Sequence, residues 1–457
     1  MNKKVHFFQV LGDVRQYRNI EFVIPKNEIE EFRFRAKLSV FALKEKFINE
    51  NYQTNITLFI PESLAEIDQN NEREIENLLN NNNLFIEKIL QLPMANNINL
   101  SDCNLEIIPA KGFYIYQYNS SVQNIIYSIF IYLIQNVKED ENIYIDISSG
   151  QNIYNIALVE AVRRYLTYLQ LKNILNNSQT GFSETNIIFY PPITKEIKPI
   201  KIEYYKISAK AFFSLPIKSF DDKNILTNNE PLFKFITNKF GATAELLDEF
   251  IDIKRRINTI LGNLETAFNS ILKNIPLAFY NSELISLDEC IEILEKDFIK
   301  FLNEITKKEL IPNNNIYIID RPEINIIIIS NIFFAFSLYK SFQQFKNKLS
   351  KIGTMEDIKT NFLDLYENQN LNLVTNKFFL ERDLADIEDL CNSEEFKGEK
   401  LLKELKEQGG SSDIKRNFFA HSGFISDWTY VRKENNQIYL RWEPSQLNRI
   451  KDLINKN

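Results

Sequence analysis

The segment NIYIDISSG, residues 142–150, is the clearest β-strand in the chain, and an apolar helical pattern follows it from about Ile153 to Leu171. Other strand-like runs lie at 5–12, 55–61, 104–110, 186–192 and 202–207, with helical patterns between them at about 29–50, 74–92 and 121–137. Strands that alternate with helices predict a mainly parallel sheet with helices on both faces. We therefore expect a Rossmann-like α/β domain over residues 1–220.

The pattern changes near Leu215 and Pro216. From about residue 225 the strand signals disappear, and between Leu246 and Leu264 apolar side chains recur every three or four residues, as on one face of a long helix. Helical patterns continue at 286–305 and 323–348. The predicted fold class is thus α/β plus all-α, with a helical second domain over residues 221–457.

Composition excludes several classes of protein. A chain of 457 residues is long enough for two or three domains, and its net charge of -7 argues against a protein that coats nucleic acid, although a small basic cleft remains compatible. The three cysteines, Cys103, Cys290 and Cys391, are scattered and form no CxxC pair. This excludes a disulfide framework and a zinc finger and predicts a reducing, cytoplasmic location.

Two apolar runs, 324–339 and 123–137, resemble membrane spans. Both are shorter than the roughly 20 mostly apolar residues that a span needs, and both carry polar side chains. We predict that they are buried core helices and that the protein has no membrane partner. The N-terminus also lacks an apolar signal core before Gly12.

The turn after the strand at 142–150 is a candidate ligand site. The carboxyl ends of parallel strands and the N-terminus of the next helix are where α/β sheets bind anionic ligands. Two more strand ends would line the same crevice, and neither a GxGxxG nor a GxxxxGK[ST] motif is present. An ordinary strand–turn–helix corner remains an equally good interpretation. The candidate residues are Gly12, Asp13, Glu62, Ser63, Ser148, Ser149, Gly150, Gln151 and Asn152.

A second candidate site lies in RNFFAHSGF, residues 416–424, which holds one of the two histidines. The polar stretch GGSSD (409–413) supplies N-cap residues for a short helix from about Ile414, and Gly423 would end it. Asn417 and His421 then share one helix face, and the long side chain of Arg416 can swing towards the imidazole. A core histidine with satisfied nitrogens is the competing interpretation.

An imidazole, an amide and a guanidinium suit phosphodiester cleavage in RNA. The imidazole can move a proton to or from the 2′-hydroxyl or the leaving oxygen, and the arginine can bind the phosphate. The 2′-hydroxyl is an internal nucleophile, so we predict no metal. One histidine is one proton-transfer group short of an acid–base pair, so two copies across a homodimer axis would complete the site.

The chain resembles the type III CRISPR accessory ribonucleases built from a CARF and a HEPN domain. The carrying motifs are D-[aliphatic]-[S/T]-x-G-x-N at 146–152 and R-[polar]-x3-H at 416–421, and the resemblance spans essentially the whole chain. It implies that paired CARF domains bind a cyclic oligoadenylate and thereby activate metal-independent cleavage of single-stranded RNA. It also implies that Ser148, Gly150 and Asn152 contact the activator, and that Arg416 and His421 are catalytic.

One departure from the family bears on the activator. Close relatives often have threonine and histidine where this chain has Ser148 and Ser149. The ring size is therefore open, with cyclic tetra-adenylate favoured over the hexa-adenylate, and the assembly is predicted as a homodimer or a higher oligomer. Two alternatives stay in view: a ligand-sensing regulator whose HEPN domain is only a dimerisation platform, and a stand-alone HEPN toxin that would leave the α/β domain unexplained.

Overall fold

The computed structural model describes all residues except 1–2, 13–17, 26–29, 65–76, 78–80, 92–99, 101, 115, 149–151, 177–183, 192–198, 242–243, 314–315, 393–395, 397, 406–412 and 457. The strands are β1 (Lys4–Val10), β2 (Ile20–Pro25), β3 (Glu31–Ala36), β4 (Gln53–Pro61), β5 (Asn104–Ile108), β6 (Lys111–Phe113), β7 (Gln117–Asn119), β8 (Glu141–Asp146), β9 (Thr185–Phe189), β10 (Ile200–Lys201), β11 (Glu203–Lys206), β12 (Glu309–Asn313), β13 (Ile316–Asp320), β14 (Glu399–Leu401), β15 (Thr429–Glu434) and β16 (Gln437–Trp442).

The helices divide between the two regions of the chain. The N-terminal ones are α1 (Ser39–Asn49), α2 (Asn82–Gln91), α3 (Val122–Asn136) and α4 (Asn152–Lys172). The C-terminal ones are α5 (Leu232–Phe240), α6 (Ala244–Leu272), α7 (Ile291–Ile305), α8 (Ile326–Lys346), α9 (Met355–Ile358), α10 (Asp364–Glu367), α11 (Val374–Cys391), α12 (Leu402–Leu405), α13 (Ile414–Ala420) and α14 (Leu447–Asn455).

Six strands form the central sheet in the order β11-β9-β8-β1-β4-β5. All neighbours pair in parallel except β11, which is antiparallel to β9, so the predicted mainly parallel sheet is confirmed. Alternate residues of β1 enter different cores: Phe8 packs with α3 and α4, whereas Phe7 packs with α1. Because β4 and β8 flank β1 on opposite sides, the sheet has a switch point there, where α/β folds bind ligands.

The predicted helix at 29–50 is wrong in its first part, because residues 31–36 form strand β3 and α1 begins only at Ser39. The sequence EFRFRA alternates in exposure along β3, which is the two-residue period of a strand. β3 pairs antiparallel with β2 over the whole of both strands. β2 and β3 therefore form an antiparallel pair that the helical interpretation missed.

Strands also continue beyond residue 225, contrary to the sequence prediction. β12 and β13 form a hairpin, and β13 pairs in parallel with β7 of the N-terminal region, so one four-stranded sheet joins both parts of the chain. β14, β15 and β16 form a further antiparallel sheet. The β15–β16 turn is Asn435–Asn436, both at positive φ (50° and 64°), which is the geometry of a tight hairpin turn.

The C-terminal region is otherwise helical, as predicted. The long apolar stripe becomes α6, and the patterns at 286–305 and 323–348 become α7 and α8. The core between these helices is continuous with the core on the α3–α4 face of the central sheet. The boundary between residues 220 and 221 stays a prediction, since the two regions share this core.

Helix α8, Ile326–Lys346, is the one helix in the described ranges that is long and apolar enough to cross a membrane. Most of its apolar window, 72%, is buried inside the protein. It packs against α4, and its Ser337 hydroxyl donates a hydrogen bond to the backbone carbonyl of Tyr168. This is the position of a core helix, as the sequence predicted.

Candidate functional site

The turn after β8 is held by Asp146, the last residue of the strand. Its buried carboxylate accepts hydrogen bonds from the Ser148 backbone N–H (2.7 Å) and from the Ser39 hydroxyl. Burial raises the pKa of Asp146, although these hydrogen bonds oppose that rise. The aspartate of the motif therefore shapes the turn from inside the protein instead of facing a ligand.

The described residues of the turn lie at the edge where β1 and β8 end. Gly12 follows β1, which pairs with β8 up to Gln9 and Asp146, and Asn152 is the exposed first residue of α4. The Ser148 hydroxyl accepts a hydrogen bond from the Tyr190 backbone N–H at 3.1 Å. Asp13, Ser149, Gly150 and Gln151 lie outside the described residues. The structure thus brings Gly12, Ser148 and Asn152 to one edge of the sheet.

A hairpin that the sequence did not predict lies beside this edge of the sheet. β6 and β7 pair antiparallel, and the Lys111 backbone N–H donates to the Tyr154 hydroxyl at 3.4 Å. Tyr154, near the start of α4, also hydrogen-bonds the side chain of Ser63, and burial raises its pKa to about 12. Ser63, the hairpin and the beginning of α4 therefore meet at the carboxyl edge of the sheet.

The side chain of Glu62 contacts residues of the C-terminal region. Its Oε1 is 2.7 Å from Lys308 Nζ and 2.5 Å from Arg321 Nη2, and its side chain is 2% exposed. Burial alone would raise the pKa of Glu62, but the two positive charges hold it below its ordinary value. The Glu62 carboxylate is therefore paired with the side chains of Lys308 and Arg321. A contact between Glu62 and a ligand stays a prediction.

The second site lies at the end of α13, whose start at Ile414 agrees with the sequence prediction. The Asp413 side chain caps the helix by accepting from the Arg416 backbone N–H at 3.0 Å. His421 is the C-cap residue, and its backbone N–H donates to Asn417 at 3.1 Å, so both residues lie one turn apart as expected. Arg416 is exposed, and no described carboxylate lies within ion-pairing distance of it.

The chain turns sharply after His421, and Gly423 is needed there. Ser422 and Gly423 both have positive φ, 50° and 81°. A Cβ added at Gly423 would lie 2.9 Å from Ile275 Cγ2, which is closer than real Cβ atoms approach. Trp442 Nε1 donates to the Gly423 carbonyl at 3.0 Å. The helix therefore ends at Ala420, and the turn at Ser422 and Gly423 packs against the buried side chains of Ile275 and Trp442.

His421 is a surface histidine with a buried carboxylate behind it. Its imidazole is 46% exposed, and Nδ1 lies 3.6 Å from Asp383 Oδ1 on α11. The Ser422 hydroxyl donates to Asp383 Oδ2 at 2.6 Å, and Asn274 Nδ2 donates to the Ser422 hydroxyl at 2.8 Å. The interpretation of His421 as a buried core histidine is therefore wrong.

The surroundings of Asp383 lower the pKa of its carboxyl group. Burial would raise its pKa, but the nearby His421 and the hydrogen bonds from Ser422 and Arg382 outweigh it and hold the pKa below the ordinary value. A carboxylate at Nδ1 fixes the tautomer and orientation of an imidazole, which leaves Nε2 for proton transfer. Within the described ranges, no three His, Cys, Asp or Glu side chains are grouped so as to hold a metal ion.

Sequence reasoning missed Asp383, although a signal was present. Leu380, Asp383, Leu384 and Ile387 follow the helical period, and all four are buried. A charged residue on the apolar stripe of a helix needs a partner in the interior. The partner is 38 residues away in sequence, so the stripe marks Asp383 as unusual without identifying what it binds.

The structure thus has two parts, an α/β sheet with a switch point between β1 and β8 and a helical region with a carboxylate-backed histidine. Residues 6–191 match the family model of the CARF domain of the CRISPR system endoribonuclease Csx1, and residues 373–444 match the model of its HEPN domain. The chain belongs to this CARF-plus-HEPN family and is a CRISPR-associated ribonuclease regulated by ligand binding. No curated protein matches the chain.

Proposed function

We propose that this protein is an endoribonuclease of type III CRISPR defence that a cyclic oligoadenylate activates and that cleaves single-stranded RNA without a metal. The single observation that carries the proposal is His421, exposed at the surface and backed by the buried Asp383 within the HEPN match. We also propose a cytoplasmic location, in keeping with three unpaired cysteines.

The catalytic step would use His421, Arg416 and Asn417. His421 Nε2 either accepts the proton of the 2′-hydroxyl as a general base or donates a proton to the leaving 5′-oxygen as a general acid. Asp383 stabilises the imidazolium in both cases. The exposed guanidinium of Arg416 binds the phosphate as negative charge builds. One chain supplies one histidine at this site, so a homodimer, or a higher oligomer built from it, supplies the second proton-transfer group.

The activator would lie in the crevice at the sheet edge. Gly12, Ser63, Ser148 and Asn152 border it, and the N-terminus of the 21-residue helix α4 faces the same edge. A two-fold cyclic ligand on a dimer axis contacts both copies of this edge at once. Among such ligands we favour cyclic tetra-adenylate over the hexa-adenylate.

Two contacts in the structure support coupling between the crevice and the nuclease site. Glu62, next to Ser63, holds Lys308 and Arg321 of the C-terminal region. Helix α4 runs from the crevice into the helical core, where the Tyr168 hydroxyl donates to Glu295 at 2.9 Å and accepts from Lys340 at 3.1 Å. A ligand that binds the active arrangement more tightly can shift these packed contacts between two states.

The test is cleavage of a labelled single-stranded RNA in chelator, with and without cyclic tetra-adenylate. We expect stimulation by the activator, and products with a 2′,3′-cyclic phosphate and a 5′-hydroxyl. A strict need for a divalent cation, or 5′-phosphate products, would exclude the 2′-hydroxyl mechanism. Cleavage that the activator leaves unchanged would exclude the sensor function.

A matched pair of variants tests the crevice. Asn152→Ala removes an exposed amide at the start of α4, whereas Asn173→Ala removes an amide next to the other end of the same helix. We expect only the first to weaken activator binding and stimulated cleavage together, with unstimulated cleavage unchanged. Equal loss of basal and stimulated cleavage with normal binding would make the turn purely structural.

A further inference from the structure

Arg382 lies beside the histidine of the nuclease site, on helix α11. Its Nη2 is 3.0 Å from Asp383 Oδ1, the same oxygen that His421 Nδ1 approaches at 3.6 Å. Nη2 also donates to the Ala420 carbonyl at 3.2 Å, at the end of α13. One carboxylate oxygen therefore holds both the imidazole and a second guanidinium that the R-x4-H motif does not contain.

An exposed aromatic ring completes this surface. The Arg382 guanidinium lies over the Phe379 ring, 5.3 Å from its centroid, and Phe379 is 41% exposed. The side chain of Arg382 is itself 45% exposed, although three of its neighbours hold it in place. We call Phe379 and Arg382 the α11 platform.

Exposed cationic side chains lie on both helices of this site, α11 and α13. Burial and the positive charge of Lys415 lower the pKa of Lys273, which lies over the Phe419 ring of α13. Arg416 and Lys415 on α13 are exposed, and Glu381 on α11 is paired with Lys377. Three exposed cationic side chains, those of Arg382, Lys415 and Arg416, therefore lie on α11 and α13 of a chain whose net charge is -7.

We propose that the α11 platform binds the RNA substrate next to the scissile bond, with Arg382 on a backbone phosphate and Phe379 stacked on a base. This inference rests on the proposed function. Arginine forks bind phosphate through two nitrogens, and aromatic side chains stack on unpaired bases, so together they bind one stretch of single strand.

The experiment measures RNA binding in the His421→Ala background, where the RNA stays intact. Arg382→Met keeps the length of the side chain and removes the charge. We expect the Kd for a short single-stranded RNA to rise about 10-fold or more, and the slope of log Kd against log salt to fall by about 0.7, the value for one phosphate contact. Phe379→Leu is expected to weaken binding about 5- to 100-fold with the salt slope unchanged.

Arg449→Met is the matched control. Arg449 also stacks on an aromatic ring, with its guanidinium 5.0 Å from the ring centroid of Trp428. Among the described residues it has no hydrogen bond or ion pair with Asp383 or His421. We expect it to bind RNA like the parent. Thermal unfolding and light scattering on each variant report folding and assembly. Arg382→Lys keeps the charge without the fork and is expected to fall between the parent and Arg382→Met.

Three results would overturn the inference. The first is an Arg382→Met variant whose Kd and salt slope equal those of the parent. The second is an Arg382→Met variant of the His421-containing enzyme with a lower kcat at saturating RNA but an unchanged Kd. The third is loss of the dimer in Arg382→Met, which would make the platform a contact between copies. Failure of the proposed function looks different, because the parent with His421 would then cleave no RNA on activation. If the parent cleaves and the platform variants bind normally, the platform inference alone fails.

Discussion

The two histidines of this chain lie in opposite surroundings. His6 on β1 is 2% exposed, stacks on Phe8, and has Thr57 at 2.8 Å from Nε2 and Glu141 at 3.3 Å from Nδ1. His421 is 46% exposed and has Asp383 near Nδ1. Both histidines have a carboxylate near Nδ1. They differ in the partner of Nε2 and in the exposure of the ring, and these two properties separate a structural imidazole from one suited to proton transfer.

The comparison also explains why histidine scarcity is a weak signal. A histidine-poor chain still uses one of its two imidazoles inside the sheet, where Glu141 is buried beside it. An imidazole has two nitrogens that hydrogen-bond in different directions. In His6 both nitrogens contact buried side chains, whereas in His421 one nitrogen faces a carboxylate and the ring lies at the surface.

The largest expected effect separates the two histidines by activity. His421→Ala removes the proton-transfer group and should lower stimulated RNA cleavage by about 10³-fold or more. Activator binding and thermal unfolding should match the wild type, because the exposed ring makes few packing contacts. Cleavage rates at saturating activator measure this effect, and substantial residual cleavage would place the catalytic base elsewhere.

The second prediction concerns the buried histidine. His6→Ala leaves a cavity and removes the imidazole from Thr57 and the buried Glu141, so the free energy of unfolding should fall by about 2–4 kcal/mol. Cleavage per folded molecule at low temperature should stay near that of the wild type. Denaturant unfolding combined with cleavage assays checks both parts. A large loss of activity in the folded variant would contradict a purely structural role.

A smaller effect is expected when the carboxylate behind His421 loses its charge. Asp383→Asn keeps the size of the side chain but no longer stabilises the imidazolium, so kcat should fall roughly 10- to 100-fold with little change in RNA Kd. Glu141→Gln is the matched change behind His6 and should leave kcat unchanged. Equal effects of the two variants on kcat would remove the distinction between the two histidine sites.

The smallest effect is a difference in acid stability. The folded-state pKa of Asp383 is lowered, so its ionised form contributes stability that is complete above the unfolded-state pKa of about 3.9. That contribution declines as pH falls through the lower folded-state value. The difference in unfolding free energy between the wild type and Asp383→Asn should therefore shrink below about pH 4. Denaturant unfolding between pH 3 and 7 measures it, and a constant difference would contradict the lowered pKa.

Much of the fold follows from local patterns in the sequence. The run at 142–150 identified a strand and its following helix, and the apolar stripe after Leu246 identified α6. Within the C-terminal motif, the helix start at Ile414 follows from the Asp413 cap, and the i,i+4 spacing of Asn417 and His421 follows from helical geometry. These features depend on residues a few positions apart, whose backbone conformations constrain one another directly.

The remaining features depend on partners far apart in the chain. Glu62 pairs with Lys308 and Arg321, which are 246 and 259 residues away in the sequence. No local pattern indicates that these three residues meet. The pairing of β7 with β13 and the approach of Asp383 to His421 are of the same kind. Hydrophobic periodicity states which face of an element is buried, but not which element packs on it. The sequence by itself determined the central parallel sheet, the long C-terminal helices α6 to α8 and the helical spacing of the histidine motif. Only the tertiary structure decided which histidine is exposed, which carboxylate stands behind it and where Glu62 points, because packing of distant elements selects those contacts.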